Sequence, residues 1–364
     1  MKEKIYMVLT NGFDPDVRVF KEAKYLKEVG YDVEVLCWDR NCFYEDRTIE
    51  CIEGILIKRF HIKSVPGTGL KQMVPFVKYI NTIKKYLKNK EYNYIHCHDF
   101  DGIIAGFFCT FFRKKKLIFD MHEIYNDFSY GKFGFIFNIV YKHMLKISKN
   151  IIYVNDEQIK HIHNKKIREK LVYLPNYPDI ENYLPIEKRY NENKRLRINY
   201  VGYLRDYDSL KALVNLGEKN ENILVGLYGT GTMYERIKNE STDKIKIYGK
   251  FDGVNDISEI YRNTDILYCA YNPQNYNYKT SYPVKFYEAI ITQTPMIVSK
   301  NTKIEKLVIK DKIGEVIEYA NEESIQNAIN KITDNYERYI INIKKISEEY
   351  QWNNIKDNLK TVYI

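Results

Sequence analysis

Short apolar runs, rich in β-branched and aromatic residues, alternate along the first half of the chain with longer stretches whose apolar positions recur every three or four residues. The short runs predict strands and the longer stretches predict amphipathic helices. In this half the predicted strands are Lys4–Leu9, Val33–Cys37, Tyr94–Cys97, Lys116–Met121 and Ile151–Val154. A predicted helix over Asp16–Val29, ended by Gly30, connects the first two strands. Strands joined by helical crossovers indicate a parallel sheet with helices on both faces.

The same alternation restarts after Pro175, Pro178 and a polar stretch over residues 187–195. In the second half the predicted strands are Arg197–Val201, Ile223–Tyr228, Ile245–Tyr248, Ile266–Ala270 and Met296–Ser299. The chain is therefore predicted to form two doubly wound α/β domains with a linker near residue 185. Ligands of open α/β sheets bind beyond the carboxyl ends of the strands, so two such sheets predict a cleft lined by the loops that follow the strands.

Composition narrows the class of protein. At 364 residues the chain has the length of about two ordinary domains. Its 45% hydrophobic and 15% aromatic residues exclude a disordered chain, and its 17 Gly and 9 Pro are too few for a collagen-like one. Six cysteines without a CxxC pair argue against a disulfide scaffold, so we expect buried free thiols in a reducing cytosol.

The beginning of the chain and its longest apolar run bear on location. The chain starts directly with a predicted strand, without the apolar segment of a secretory signal. The longest apolar run, Ile103–Phe112, is much shorter than the roughly 20 residues that span a bilayer. We therefore expect a soluble, cytoplasmic protein.

Positive charge is concentrated in the first half of the chain. The net charge is +9, and residues 1–180 carry 30 Lys and Arg against 22 Asp and Glu, whereas residues 181–364 carry 27 against 26. Two stretches of the first half, residues 54–90 and 128–155, contain no acidic residue. They are either solvated helix faces or a surface attracted to an anionic membrane leaflet or a phosphorylated acceptor. No nucleic-acid-binding motif accompanies the charge.

Two glycine motifs follow predicted strands, and neither is a nucleotide fingerprint. The segment after the first strand contains a single glycine, Gly12, where a dinucleotide site needs three. Gly229 and Gly231 form an isolated GxG, which predicts a tight turn between strand and helix. A P-loop is absent from the sequence. A Rossmann dehydrogenase and a P-loop nucleotidase are therefore both disfavoured.

Histidines mark the ends of two strands. His96 and His98 share one side of an extended chain, and His122 and Glu123 follow the next strand. These residues could form a metal site, or the imidazoles could be hydrogen-bonded to backbone or substrate at a polar edge of the sheet. The second interpretation is favoured, because no second-shell partner or open coordination position is visible in the sequence.

The segment Ser281–Glu288 precedes an apolar helix and has two interpretations. Pro283 suits the first turn of a helix, which would leave the N–H groups of Ser281–Lys285 as an anion site. Lys285 would add a positive charge, and Glu288 could accept hydrogen bonds from a diol. Alternatively, the segment is a capped core helix with one exposed ion pair. The sequence leaves both open.

The motifs together resemble the retaining glycosyltransferases of family 4. The matching segments are residues 13–33, 94–99, 117–123, 174–176, 281–295 and 351–352. The resemblance covers nearly the whole chain, and its strength lies in the order and spacing of the motifs. It implies the GT-B fold, an α/β architecture of two doubly wound Rossmann-like domains facing across a cleft. The implied domains are an N-terminal acceptor domain over residues 1–180, a C-terminal donor domain over 186–345, and a C-terminal helix over 346–364 that crosses back to the first domain.

The resemblance also implies an activity. A sugar would move from a UDP- or GDP-linked nucleotide-diphosphate sugar to a hydroxyl acceptor with retention at the anomeric carbon, without a metal or a cofactor. The setting would be the synthesis of a bacterial surface polysaccharide such as capsule, O-antigen or a teichuronic-type polymer. The acceptor would be lipid-linked or a glycan, and the cytoplasmic protein would contact the inner membrane face.

The resemblance assigns roles to individual residues. The implied catalytic residues are His122, Arg205 and Lys285. The implied donor-binding residues are Gly202, Arg205, Ser281, Tyr282, Pro283, Val284, Lys285 and Glu288. Gly12, His98 and Asp99 are expected on the acceptor side.

This sequence departs from the family pattern at three positions. The family often has two glutamates eight residues apart; Glu288 matches the second and Thr280 stands at the first. Tyr203 and Asp208 stand where many members have an Arg and a Lys for the donor diphosphate, and Arg205 is the candidate substitute. Two alternatives therefore remain, a nucleotide-sugar 2-epimerase of the same fold and a non-catalytic sugar-binding or scaffold relative.

Overall fold

The computed structural model describes residues 2–14, 16–65, 69–110, 115–125, 134–183, 188 and 194–364. The chain divides into two compact units. The N-terminal unit comprises Met1–Pro175 and Ile355–Ile364, and the C-terminal unit comprises Asn176–Asn354. The expected linker near residue 185 lies outside the described residues.

Each unit is built around one sheet. The strands are β1 Lys4–Leu9, β2 Asp32–Asp39, β3 Ile49–Ile52, β4 Ile55–His61, β5 Tyr94–His98, β6 Lys116–Met121, β7 Asn150–Tyr153, β8 Leu171–Tyr173, β9 Leu196–Val201, β10 Ile223–Tyr228, β11 Lys246–Gly249, β12 Ile266–Cys269, β13 Met296–Ser299 and β14 Gly314–Ile317. Their order is β3-β4-β2-β1-β5-β6-β7-β8 in the N-terminal unit and β11-β10-β9-β12-β13-β14 in the C-terminal unit. All neighbouring strands are parallel except β3 and β4. The mixed α/β architecture with two Rossmann-like sheets is therefore confirmed.

Helices connect the strands. They are α1 Val17–Glu28, α2 Met73–Leu87, α3 Asp99–Thr110, α4 Gly134–Ile147, α5 Lys165–Arg168, α6 Tyr207–Lys219, α7 Tyr234–Glu240, α8 Ile257–Arg262, α9 Tyr276–Thr280, α10 Val284–Ile291, α11 Glu305–Asp311, α12 Glu322–Asp334, α13 Tyr336–Ile346 and α14 Lys356–Thr361. Short 3-10 helices cover Glu45–Arg47, Gly69–Gln72, Asp156–Gln158, Ile180–Asn182, Ser347–Tyr350 and Trp352–Asn354. No helix of the described residues is long and apolar enough to cross a membrane.

The strand order decides which face of the N-terminal sheet each helix covers. The connection from β1 to β2 runs one way across the sheet, and those from β4 to β5, β5 to β6 and β6 to β7 run the other way. Because such crossovers are right-handed, α1 lies on one face and α2, α3 and α4 lie on the opposite face. Consistently, α3 packs against both α2 and α4, and α1 packs against α14.

The first crossover shows how local sequence sets an element. Asp16 caps α1 by accepting a hydrogen bond from the Val19 N–H at 3.3 Å, and Gly30 follows its end with φ +103°. The apolar positions of α1 that face the sheet include Val19 and Leu26, both fully buried. Charged residues share this buried face, and they become part of the site described below.

The structure contains all ten predicted strands, with ends that move by at most two residues, and four strands that were not predicted. Among the latter, β3 and β4 form a hairpin whose turn residues Glu53 and Gly54 have φ values of +46° and +77°. A turn of this kind usually contains Asn-Gly or Asp-Gly, so Glu-Gly is a weak signal. The expectation of buried thiols holds for four cysteines, but Cys42 is half-buried and Cys51 is exposed.

Candidate active site

The loop after β9 begins the predicted donor-binding region of the C-terminal unit. Gly202 follows the strand with φ +128°, which L-residues rarely adopt, and its N–H donates to Tyr228 O at 2.8 Å. A Cβ at this position would lie 2.9 Å from Lys285 Nζ. The fold therefore brings together Gly202 and Lys285, two residues predicted to bind the donor.

Lys285 is a buried cation. Its side chain projects from α10, the residue is 9% exposed, and its Nζ lies 3.8 Å from the ring centroid of Tyr200 and 5.4 Å from that of Tyr271. Within the described part of the chain, no carboxylate forms an ion pair with this ammonium group. Burial lowers the pKa of Lys285 to about 8. The Glu288 carboxylate favours the charged form but is not within ion-pair distance. Because a buried charge without a counter-ion in contact is unfavourable, the position favours an anionic ligand.

Arg205 supplies a second cation in the same region. Its guanidinium lies 5.3 Å from the ring of Tyr203 and 5.9 Å from that of Tyr278, and the side chain is exposed. Its charge is one of the causes that lower the pKa of Lys285, after burial. Asp208, which stands at a family lysine position, lies exposed in the first turn of α6. Arg205 and Lys285 are therefore the positive groups beside the Gly202 loop.

The start of α10 differs in detail from the prediction. Pro283 is the residue before the first turn, with φ −67° and ψ 145°, instead of lying within that turn. The Ser281 N–H, expected to be free, donates to Asn277 O at 2.8 Å. Val284 and Lys285 are the first two helical residues, and their N–H groups have no acceptor within the helix. The predicted run of free amides from Ser281 to Lys285 is therefore shortened, and the amides of Val284 and Lys285 remain as candidates for binding an anion.

Glu288 lies one turn further along α10 and is held by tyrosines. Its Oε1 accepts a hydrogen bond from the Tyr183 hydroxyl and its Oε2 accepts one from the Tyr261 hydroxyl, each at 2.9 Å. These two contacts fix the orientation of the carboxylate. Each oxygen of a carboxylate has two acceptor positions, so the predicted role in binding a diol is compatible with both contacts.

Two neighbours of α10 have structural contacts. Thr280, at the position of the first family glutamate, is buried, and its hydroxyl donates to Tyr276 O at 2.7 Å within α9. The ring of Tyr282 lies 6.0 Å from that of Phe286 and 6.1 Å from that of Tyr287. Thr280 therefore does not replace the missing carboxylate, and both residues support the segment that leads into α10.

The predicted acceptor-side residues come together at one edge of the N-terminal sheet. The strands β1, β5 and β6 are parallel neighbours, and His98 of β5 is in register with Asp120 of β6. Gly12 follows β1, Asp99 follows β5 and His122 follows β6. Because parallel strands end at the same edge, residues that are more than 100 positions apart in sequence become neighbours.

Gly12 is fixed by its own surroundings. Its carbonyl accepts a hydrogen bond from Arg59 Nε at 2.9 Å, and a Cβ on it would lie 3.3 Å from Tyr44 Cε2. The Arg59 guanidinium lies 4.6 Å from the Tyr44 ring. The loop after β1 is therefore tied to the β4 strand that carries Arg59.

His122 is enclosed by two carboxylates. Its Nε2 lies 3.0 Å from Asp120 Oδ2 and its Nδ1 lies 3.4 Å from Asp99 Oδ2. Burial alone would lower the pKa of this imidazole, but the two carboxylates outweigh it and raise the pKa of His122 to about 10. The side chain is 20% exposed, so its positive charge reaches the surface of the unit.

His98 is buried and contacts both Asp120 and His122. It is 2% exposed, and its Nδ1 lies 3.1 Å from Asp120 Oδ2 and 3.2 Å from His122 Nε2. It was predicted to line the acceptor side, but its contact with that surface passes through Asp120 and His122. Asp99, in contrast, has a 38% exposed side chain and a φ of +62°, and its Oδ1 accepts a hydrogen bond from the Tyr125 hydroxyl at 2.5 Å.

Arg18 balances the charge of Asp120. Its Nε and Nη2 donate to the two oxygens of Asp120 at 2.9 and 2.8 Å, and its Nη1 donates to Leu174 O at 3.1 Å. Although burial favours a neutral carboxyl group, Arg18 and His122 hold the pKa of Asp120 well below its usual range. Glu22, one turn along α1, lies 3.1 Å from Arg18 Nε, and burial raises the pKa of its carboxyl group.

The end of the chain reaches the same network. The Tyr363 hydroxyl lies 2.7 Å from Nδ1 of His96, whose ring stacks on that of His98 at 4.4 Å. Burial holds the pKa of His96 well below its usual value, so this imidazole is neutral. A buried chain of contacts thus runs from Tyr363 through His96 and His98 to His122.

Comparisons with known protein families cover both units. A model described as Glycosyltransferase Family 4 matches residues 16–182, and a model described as Glycosyl transferases group 1 matches residues 185–346. The chain belongs to the GT-B glycosyltransferases of family 4. No curated protein sequence matches this glycosyltransferase.

Solved structures share its fold at low sequence identity. Sucrose-phosphate synthase from Thermosynechococcus elongatus matches with a TM-score of 0.78 and 13% identity, covering 100% of this chain and 98% of that one. HepE of Anabaena in complex with UDP and glucose matches with a TM-score of 0.70 and 13% identity, over 99% and 98% of the two chains. Starch synthase IV of Arabidopsis thaliana bound to ADP and acarbose matches with a TM-score of 0.69 and 13% identity, over 100% and 99%.

The histidine cluster of this glycosyltransferase also resembles a metal site in outline. Ligand atoms of Glu22, His96, His98 and Asp120 lie within 4.8 Å of one another, and His96 Nε2, His98 Nε2 and both Glu22 oxygens have no hydrogen-bond partner among the described residues. Arg18, however, lies on both carboxylates, so the cluster already contains its cation. The interpretation of the imidazoles as members of a hydrogen-bonded polar network is the one that this geometry favours.

Sequence reasoning missed the groups that surround His122. Arg18, Glu22 and Tyr363 were not predicted as site residues, although Arg18 and Glu22 lie within the segment that resembles the family. The available signal was charge on a buried helix face, because α1 buries Arg18, Lys21 and Glu22 together with its apolar residues. Charged residues are seldom fully buried unless they are paired.

Proposed function

We propose that this glycosyltransferase moves a sugar, of the hexosyl type, from a nucleotide-diphosphate sugar to a hydroxyl acceptor with retention at the anomeric carbon. The observation that carries the proposal is Lys285, a buried ammonium group beneath the Gly202 loop without a carboxylate partner among the described residues. A donor diphosphate would supply the missing counter-ion. Structural neighbours were solved with UDP, with UDP-glucose and with ADP, which supports a nucleotide-linked donor.

The leaving diphosphate carries the charge that the site must stabilise. Lys285, Arg205 and the free amides of Val284 and Lys285 are preorganised positive groups, and such groups usually contribute the largest share of catalysis. We therefore propose that they stabilise the departing nucleotide without a metal ion or a cofactor. Glu288 would accept hydrogen bonds from the ribose hydroxyls, and the family resemblance supports retention.

The N-terminal unit would hold the acceptor. Gly12 and Asp99 lie at the carboxyl edge of its sheet, and the protonated His122 would face the reacting sugar, with His98 beneath it. The basic first half of the chain supports an acceptor that is lipid-linked or a glycan at the inner membrane face. We accordingly place the enzyme in the cytoplasm, peripheral to that membrane, in the synthesis of a bacterial surface polysaccharide.

The test is donor-dependent thermal stabilisation with a panel of UDP- and GDP-sugars. Lys285→Met removes a buried charge at nearly constant volume, so we expect the melting temperature without ligand to stay constant or rise while the donor-induced shift disappears. Glu288→Gln should reduce the shift as well. Lys310→Met, at a position with a 76% exposed side chain, is the matched control and should keep the full shift.

Turnover assays on the wild-type protein and on Lys285→Met complete the test. We expect transfer to need an acceptor and to leave the anomeric configuration of the donor sugar unchanged, with a rate loss of about 10²–10³ in Lys285→Met. An unchanged donor shift in both Lys285→Met and Glu288→Gln would refute the site. Product without acceptor would indicate an epimerase, and donor binding without turnover would indicate a non-catalytic relative.

A further inference from the structure

Large apolar side chains lie in solvent on the helical face of the N-terminal sheet that α2, α3 and α4 cover. Val74 of α2 is 77% exposed and Phe135 of α4 is 74% exposed. The other exposed apolar residues of this face are Met73, Val77, Phe108, Ile136, Ile139 and Ile147. Single exposed apolar residues are normal on a soluble protein, whereas a group of them on neighbouring helices marks an interaction surface.

These side chains are not displaced members of the core. In α2 the core positions are occupied by Tyr79, Ile80, Ile83 and Leu87, and in α4 by Tyr141, Met144 and Leu145. Both helices therefore have a complete inner face. Apart from Ile147, the exposed apolar residues of α2 and α4 belong to the first two turns of these helices and lie in solvent, so the core of the unit does not require them.

The charge of the same two helices has one sign. Neither α2 nor α4 contains an acidic residue. The exposed basic residues on and beside them are Lys71, Lys78, Lys84, Lys85, Lys88, Lys142 and Lys146. Apolar residues combined with lysines and no acids are typical of helices that lie in the interface of an anionic bilayer.

The exposed residues lie at the edge that carries the acceptor-side residues. The helices α2 and α4 follow parallel strands, so they begin at the carboxyl edge of the sheet, and α4 starts after the β6 end that carries His122. Six of the exposed apolar residues are in these first turns, whereas Phe108 is in the last turn of α3 and Ile147 ends α4. A surface bound there would be close to the edge at which Asp99 and His122 lie.

We propose that the exposed side chains of α2 and α4, here called the α2–α4 surface, dock on an anionic phospholipid bilayer. Phe135, Ile136, Ile139 and Val74 enter the boundary between headgroups and acyl chains, and the lysines contact lipid phosphates. The inference rests on the proposed function, because it identifies how a lipid-linked acceptor reaches the enzyme. A second copy of the chain is a poorer occupant, since a symmetric contact would bring like-charged lysines together.

The experiment is co-sedimentation with vesicles of phosphatidylcholine alone and with 30% phosphatidylglycerol. We expect the wild-type protein to bind the anionic vesicles at least tenfold more tightly than the neutral ones, with a strong loss in 0.5 M salt. Phe135→Ser/Ile136→Ser/Ile139→Ser should reduce binding at least tenfold. Its matched control, Ile309→Ser/Ile341→Ser, changes residues of similar exposure in the C-terminal unit and should bind as the wild type does.

The charge contribution is tested separately. Lys142→Gln/Lys146→Gln should weaken binding about fivefold for each lysine removed, whereas Lys310→Gln/Lys344→Gln should leave it unchanged. Absence of binding to anionic vesicles at low salt would overturn the proposal. So would a dimer in size-exclusion chromatography that the serine variant dissociates.

Donor-dependent thermal stabilisation in the same variants separates the two proposals. We expect the serine variant to keep the full donor shift, because its changed residues lie outside the donor-binding region. If the wild-type protein does not bind vesicles but keeps its donor-induced thermal shift, only the docking proposal is refuted. A donor shift that is absent from the wild type while vesicle binding persists refutes the proposed function alone.

Discussion

The charge state of His122 follows from the position of two oxygens. Asp120 faces one ring nitrogen and Asp99 faces the other, so both nitrogens have an acceptor that favours a bound proton. Arg18 keeps Asp120 ionised, which preserves this effect even though the carboxylate is buried. The N-terminal unit therefore presents a fixed positive charge at neutral pH.

The protonation of His122 can be measured directly. With a pKa of about 10, the ring of His122 should not titrate between pH 6 and 8.5. Asp99→Asn removes one of the two negative charges that face the His122 ring and keeps the shape of the side chain. We therefore expect the pKa of His122 to fall by at least one unit. NMR of the ring carbons of His122 in the two proteins measures this difference.

The same proton contributes to stability, with a definite sign. The folded state binds it more tightly than the unfolded chain, whose imidazole has a pKa of about 6.5. Its contribution is complete below that pH and is lost as the pH rises towards about 10. The unfolding free energy of the wild type should therefore fall relative to that of His122→Gln over this interval, by at most about 1.4 kcal/mol per pH unit. A constant difference between the two proteins would contradict the assignment.

Part of the site was predictable at this scale. Gly202, Arg205 and Lys285 were expected together because the family resemblance implies a donor-binding site that contains all three. The pairing of Arg18 with Asp120 was not, because the two residues are 102 positions apart. Their contact depends on the order in which β1, β5 and β6 join the sheet, which local sequence does not specify.

At the scale of elements, two turns of the C-terminal unit depend on close backbone approach. Gly229 ends β10 with φ +128°, and a Cβ there would lie 2.0 Å from Gly202 O. The isolated GxG was predicted to be a tight turn, and it packs directly on the loop that contacts Lys285. The position of the Gly202 loop is thus set by the neighbouring turn.

A glycine pair tests this dependence. Gly229→Ala should destabilise the protein by more than the roughly 1–2 kcal/mol expected from backbone strain alone, and should weaken donor binding because the Gly202 loop must move. Gly249→Ala is the control: its φ is +74°, and the nearest atom to its Cβ would be the Tyr234 hydroxyl oxygen at 3.3 Å, instead of backbone at 2.0 Å. Thermal melts and donor titrations of both variants provide the measurement. Equal effects on donor binding would argue against the packing role of Gly229.

The elements that sequence predicted best are the central strands. Strands such as β1 and β12 are buried on both faces and appear as nearly continuous apolar runs. The strands that were missed include β3 and β8, which lie at sheet edges, are at most half-buried and are only four and three residues long. The start of α10 was displaced by one residue because Pro283 can precede a first turn as well as enter it.

At the scale of the whole molecule, each unit contains one buried tryptophan. Trp38 lies in the N-terminal unit and Trp352 in the C-terminal unit. Their fluorescence reports separately on the two units when the other tryptophan is replaced by Phe. The alternation of strands and helices predicted the doubly wound architecture of each unit but not its strand order. The family resemblance implied a C-terminal segment that returns to the first domain, and the structure assigns Ile355–Ile364 to the N-terminal unit through long-range contacts such as Tyr94 with Tyr363.

Tyr363 provides a prediction at this scale. Tyr363→Ala removes a side chain that is 2% exposed and bonds to His96, so we expect the N-terminal unit to lose about 3–5 kcal/mol of unfolding free energy. Denaturant unfolding followed by Trp38 in a Trp352→Phe background should show this loss. When unfolding is followed by the fluorescence of Trp352 in a Trp38→Phe background, Tyr363→Ala should leave the unfolding midpoint of the C-terminal unit constant. A loss of similar size in both backgrounds would contradict separate units.

The return of Ile355–Ile364 to the first unit has a consequence for biosynthesis. A ribosome completes residues 1–175 and then makes the roughly 180 residues of the other unit before the returning segment emerges. At about 5–20 residues per second this interval lasts roughly 10–40 seconds. During that time the nascent first half lacks the tyrosine that bonds to His96 and the α14 helix that covers α1. The half of the enzyme that is synthesised first is therefore the last to complete its fold, and the surface that α14 covers stays exposed until then.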